Sequence, residues 1–122
     1  MNVSEQARQG YAPTHFAVRT PRSIEAQLVG RVTAKLRNTI DNPSDIAGLA
    51  TAIHDNRQMW DVFAINAVDE GNALPSEIRA QIFYLAEFTT IHSRLVLKGN
   101  EDVQPLIDIN TSILRGLTAE AS

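Results

Sequence analysis

Proline placement constrains this chain more firmly than any other feature of its sequence. The five prolines stand at positions 13, 21, 43, 75 and 105. A proline ring fixes φ and removes a backbone donor, so it fits the first turn of a helix and is excluded from helix interiors. Pro21, Pro43, Pro75 and Pro105 each precede a long run with helical hydrophobic spacing, and Pro13 lies in the leading segment. Thr20 and Asn42 stand before two of them as candidate N-caps, because their side-chain oxygens accept an orphan backbone N–H. Asp45 adds a carboxylate to a positive first turn. At Leu74-Pro75-Ser76-Glu77 two arrangements are open: Ser76 caps the helix, or Pro75 is its first residue and Glu77 reaches back. Gly71 and Gly99 fall where a left-handed residue closes a helix. These marks predict helices over 21–40, 44–69, 75–98 and 104–117. Residues 1–19 are expected to be a loosely structured lead-in, with room for a short helix near 3–10.

The apolar periods agree with the punctuation. Ile24, Leu28, Val32, Leu36 and Ile40 recur every fourth residue. Ile46, Leu49, Ile53, Trp60, Phe63 and Ala67 follow a three-four alternation, as do Leu106, Ile109, Ile113 and Leu117. Ile78, Ile82, Leu85, Phe88 and Leu95, with Tyr84 and Ile91 beside them, make a wide stripe. No segment sustains the period of two that a strand requires. Short connections between long helices make neighbours antiparallel. The expected fold is therefore all-α, an antiparallel bundle of four long helices in a single domain over 1–122. A chain of 122 residues is long enough to bury one modest core.

Composition serves mainly to exclude. With no cysteine, disulfides and thiolate metal sites are ruled out, and the chain suits a reducing compartment. A net charge of −3 speaks against a nucleic-acid binder, which normally carries a basic patch. The first residues lack the apolar core of a secretory signal, and no run approaches the ~20 apolar residues of a membrane span. The expected location is cytoplasmic, with no membrane association. His15, His54 and His92 belong to no HExxH or paired-histidine pattern, and Asp69-Glu70 reads as a solvated turn. No phosphate loop, nucleophile elbow or nucleophile–base arrangement is present. The expectation is a non-enzyme without cofactor or metal.

What remains informative is polarity inside apolar stripes. His54-Asp55-Asn56-Arg57-Gln58 interrupts the second helical segment. Either the helix kinks or breaks there, with Asp55 capping a second half, or Asn56 and Arg57 offer directed hydrogen bonds beside the aromatic Trp60, a mixture common at binding hot spots. Asn110 falls inside the last apolar stripe, where an unpaired amide costs about 1–3 kcal/mol. Its partner is then an internal group or a bound segment. Phe83 sits off the main stripe, near Ala80 and Glu87, and either is a lone exposed aromatic or extends a partner surface.

Four stretches resemble the FlaF family of flagellar biosynthesis proteins of alphaproteobacteria. PRSIEAQL (21–28) carries Pro-Arg-x-x-Glu, and NRQMW (56–60) carries Asn-Arg-x-x-Trp. GNALPSEIRAQI (71–82) carries Asn-x-Leu-Pro-x-Glu-x-Arg, and LIDINTSILRGL (106–117) ends in Ile-Asn-x-x-Ile-x-x-Gly-Leu. The similarity runs in order over about residues 11–117. The resemblance implies a cytoplasmic secretion chaperone that binds newly made flagellin through its terminal helical segments and couples flagellin supply to flagellum assembly. The alternative it leaves open is a regulatory adaptor acting with FlbT on flagellin expression without touching flagellin. Partner-binding candidates are then Asn56, Arg57, Trp60, Phe63, Arg79, Phe83 and Asn110. Trp60 and Phe63 are placed chiefly in the core near a groove floor, and Asn56, Arg57, Arg79 and Phe83 on its rim. The shared motif is also open to a folding role for Trp60, Leu74, Pro75 and Asn110.

Overall fold

Each helix begins where the sequence satisfies or removes its first N–H groups, though not always through the residue expected. The computed structural model describes residues 21–68 and 75–121, with side chains over 25–68 and 75–116. Among the described residues the chain forms α1 (Pro21–Asp41), α2 (Ile46–Val68), α3 (Ser76–Leu97) and α4 (Gln104–Ala121), and no strand. The expected all-α fold is what the chain adopts. The short helix near 3–10, the lead-in over 1–19, Thr20 as a cap and Gly71 lie outside the described residues.

Pro21 is the first residue of α1, where its missing N–H costs nothing. Asn42 does not cap α2 as expected. Its Nδ2 donates to the Asn38 carbonyl at 2.9 Å, which closes the C-terminus of α1. Asp45 caps α2 instead: its Oδ1 accepts the Gly48 N–H at 2.9 Å, and the helix starts at Ile46 rather than at 44. A carboxylate outranks a neutral amide at the positive end of a helix, and the Asn42 amide is already engaged. Neither expected arrangement holds at α3. Pro75 occupies the cap position with φ −56° and ψ 150°, and no side chain caps it. Its carbonyl accepts the Ile78 and Arg79 N–H groups, both at 3.1 Å. Glu77 sits in the first turn, where the macrodipole favours it. At α4, Asp102 Oδ1 accepts the Gln104 N–H at 2.9 Å, and Pro105 follows as the second helical residue.

Gly99 closes α3 as expected, in the left-handed region at φ 79°. Its N–H donates to Val96 at 3.0 Å, and that of Asn100 donates to Leu95 at 2.9 Å. These are the paired bonds of a Schellman close, which glycine adopts without a Cβ penalty.

The helices form a ring in chain order. α1 packs on α2 and α4, and α3 packs on α2 and α4, while the diagonal pairs do not approach backbone to backbone. The α3–α4 seam is the most open of the four sides. Two apolar clusters fill the ring along its axis. Leu36, Ala52, Ile53, Val96, Val103, Leu106 and Ile107 occupy the end nearer the α1–α2 turn. Val29, Val32, Met59 and Trp60 occupy the other, flanked by Phe63, Leu85 and Ile113 among others. α2 runs unbroken through 54–58, so neither a kink nor Asp55 as a second cap is found. Asp55 instead pairs with Lys35 of α1 at 2.7 Å.

These caps give a direct expectation for unfolding. Asp45→Ala should lower stability by about 1 kcal/mol in urea titrations. Gly99→Ala should lower it by about 1–2 kcal/mol, because alanine strains in the left-handed region.

Candidate functional site

The polar residues that interrupt the apolar stripes meet in the interior, between the two apolar clusters. Thr33 of α1, Asn56 of α2, Thr89 and Ser93 of α3, and Asn110 of α4 are all buried. Trp60 Nε1–H donates to Asn110 Oδ1 at 3.0 Å, and Asn110 Nδ2–H donates to Asn56 Oδ1 at 2.8 Å. An indole only donates, so it fixes which end of the Asn110 amide faces it. The amide nitrogen of Asn110 must then point at Asn56, which answers with its oxygen. This chain joins α2 to α4 across a diagonal of the ring.

The rest of the layer is less completely bonded. Thr33 Oγ1 donates to its own helix at Val29 O, 2.6 Å away. Asn56 Nδ2, Thr89 Oγ1 and Ser93 Oγ are buried and make no hydrogen bond. Each such group costs on the order of 1–3 kcal/mol.

Asn56 is therefore not a rim residue, which corrects the sequence-based placement. Its spacing beside Trp60 put it in the apolar stripe, and Asn110 supplies an internal partner that makes burial tolerable. Asn110 finds that partner in Asn56 and Trp60, two side chains of the protein itself. Trp60 is 1% exposed and meets Phe63 edge to face at a centroid distance of 5.6 Å, so both rings are core material. Asn56, Trp60, Phe63 and Asn110 thus come together, and Arg57, Arg79 and Phe83 stand apart from them.

Those three share a different place. On α2, Asp55 marks the flank toward α1 by its bond to Lys35. Arg57 lies two residues on, about 200° around the helix, and so faces α3. On α3, His92 marks the flank toward α4, because its Nε2 lies 2.9 Å from the Asp102 carbonyl. A carbonyl only accepts, so Nε2 carries the proton there. Phe83 lies nine residues earlier, about 180° around, and so faces α2. Arg79 is one turn further along the same flank. Arg57 and Arg79 are half-buried, Phe83 is 41% exposed, and Arg79 Nε is buried without a hydrogen bond.

An apolar surface adjoins this seam. Ile65 and Val68 on the last turns of α2, and Ile78 and Phe83 on the first turns of α3, are exposed large hydrophobics, whereas Val62, seven residues after Asp55, is exposed on the flank toward α1. Sequence reasoning did not single out Val62, Ile65 and Val68. Their spacing of three looks like continued core, and only the packing of α2 shows that they face outward.

His92 stacks on Phe88 at 5.3 Å and 11°, and His54 is exposed. Among the described residues no three His, Asp or Glu side chains form a metal-binding group. Among them, too, no helix is long and apolar enough to cross a membrane.

Among the described residues, the fold and this surface define an all-helical protein whose four helices enclose a hydrogen-bonded interior layer and leave an apolar end exposed. The family model described as "Flagellar protein FlaF" matches residues 7–117, and the chain belongs to that family. No curated protein and no solved structure matches it.

The layer makes a contrast measurable by thermal or chemical unfolding. Trp60→Ala should cost about 3–5 kcal/mol, since it empties core volume and orphans Asn110 Oδ1. Thr89→Val, which removes an unpaired hydroxyl at similar volume, should be neutral or stabilising.

Proposed function

We propose that this flagellar protein binds newly made flagellin as a cytoplasmic secretion chaperone and so couples flagellin supply to flagellum assembly. The observation that carries the proposal is the exposed apolar end formed by Ile65, Val68, Ile78 and Phe83. Concentrated exposed aliphatics of this kind mark interaction sites on otherwise polar surfaces. The surface lies along an antiparallel helix pair, a shape suited to an amphipathic helix laid lengthwise with anchors three and four residues apart. Arg57 and Arg79 border it and offer directed charge-assisted bonds to acidic or carbonyl groups of such a helix.

Energetics favour reversible binding. A client segment that orders on contact loses conformational entropy, which offsets part of the gain from apolar burial. Moderate affinity is what a carrier needs if it is to release its client at an export gate. Trp60, Asn56 and Asn110 act in this reading by holding α2 against α4, and so keep the client surface rigid.

The test is calorimetry of the protein with the N- and C-terminal segments of flagellin. One segment should bind with measurable heat. Ile65→Glu and Phe83→Ala should each weaken it by about 5–30-fold, or ~1–2 kcal/mol, with melting temperature nearly unchanged. Arg57→Ala should act in the same direction without unfolding the domain. Absence of heat and of a complex on gel filtration, with FlbT bound, would instead establish the adaptor role.

A further inference from the structure

α3 carries a second apolar arc that the bundle does not use. Its buried arc holds Thr89, His92, Ser93 and Val96. A separate arc holds Tyr84, Phe88, Ile91 and Leu95, which at about 100° per residue fall within ~60° of one another. Tyr84 is 67% and Ile91 52% exposed, while Phe88 and Leu95 are half-buried. Phe88 stacks on His92, which places this arc on the α4 side of the helix, away from the flank that holds Arg57 and Phe83. No described element covers it.

The spacing of the arc is four, three, four, the alternation of a coiled-coil seam. It is also palindromic about the point between Thr89 and Thr90. Reversing the helix direction maps Tyr84 onto Leu95 and Phe88 onto Ile91. Beside the arc, on its outer edge, lie Glu87 and Arg94, both exposed. Neither side chain has a hydrogen-bond or ion-pair partner among the described residues.

We propose that α3 docks against α3 of a second copy of this chain, antiparallel, about a two-fold axis between Thr89 and Thr90. In that pairing Tyr84 packs on the second copy's Leu95 and Phe88 on its Ile91, each contact made twice. Glu87 of each copy lies beside Arg94 of the other. A two-fold contact is self-complementary by nature: every residue pair recurs in reverse. In a parallel two-fold pair the edge that carries Glu87 and Arg94 falls on opposite sides of the two copies, so these opposite charges meet only in the antiparallel form. A partner of unrelated sequence would require neither the palindrome nor the paired opposite charges. The arc from 84 to 95 is only ~16 Å long. It lies at the small end of specific interfaces, below about 1,200 Å² in total, which makes a transient dimer. This inference stands on α3 alone and is independent of flagellin binding.

Sedimentation velocity of the full chain from about 1 µM to about 1 mM tests it. A concentration-dependent monomer–dimer equilibrium is expected. Ile91→Glu should weaken it at least ~10-fold, as should Glu87→Arg. Adding Arg94→Glu to Glu87→Arg should restore association, because the charges are then exchanged in both copies. The chain has no cysteine, so a Tyr84→Cys and Leu95→Cys double variant should form disulfide-linked dimers under mild oxidation, and Tyr84→Cys alone should not. A monomer at every concentration overturns the proposal, whatever flagellin does. So does a dimer indifferent to Ile91→Glu, a charge exchange that fails to restore association, or a linked dimer from Tyr84→Cys alone.

Discussion

One hydrogen-bonded chain, from Trp60 through Asn110 to Asn56, ties together helices whose backbones do not approach each other. Apolar packing alone is tolerant: a helix can slide or rotate within a greasy ring at modest cost. Directed bonds in a dry interior are not tolerant, since a small shift leaves a buried amide unpaired. The two apolar clusters on either side supply most of the favourable energy. The polar layer between them selects which arrangement receives it. The same use of a buried amide, to specify register at some cost in stability, is known from coiled coils. Here the cost is visible in Asn56 Nδ2, Thr89 Oγ1 and Ser93 Oγ, which are buried without partners.

An interior specified in this way has consequences for the outside. A chaperone that sheltered its client inside the ring would have to open the α2–α4 diagonal and break both hydrogen bonds of the Asn110 side chain. The apolar end of the α2–α3 pair asks for no such opening, because Ile65, Val68 and Phe83 already stand exposed. The arc of α3 near α4 is exposed in the same sense, beside the most open seam of the ring. Function on this account belongs to helix flanks held rigid by a closed core, not to a channel through it.

Much of this fold was readable from the chain, for identifiable reasons. Pro21 and Gly99 act through backbone geometry, which is local, so their roles survive any tertiary context. The apolar periods of α1 to α4 are strong enough to fix helix type and approximate extent. The exact caps were less legible, because Asn42 and Asp45 compete for neighbouring helix ends and only the chain path decides between them. The polar run 54–58 was ambiguous for a deeper reason. Whether Asn56 breaks the helix, faces a partner or enters the core depends on a residue 54 positions away, Asn110, whose proximity no local pattern announces. Thr89 and Ser93 were missed because small hydroxyl residues in a stripe read equally well as surface. Phe83 was legible as an off-stripe residue, Arg57 as part of the polar run 54–58 and Arg79 only through the family resemblance, and the helix pairing adds that they share one flank.

The claim that the buried amides act as one unit is tested most directly by a double-mutant cycle of Asn56→Leu and Asn110→Leu, followed by urea unfolding. Each single change strands the other amide, so each should cost about 2–3 kcal/mol, and the double variant should cost less than the sum by at least ~1 kcal/mol. Strict additivity would contradict the account, for it would mean that the two side chains are buried side by side without holding each other.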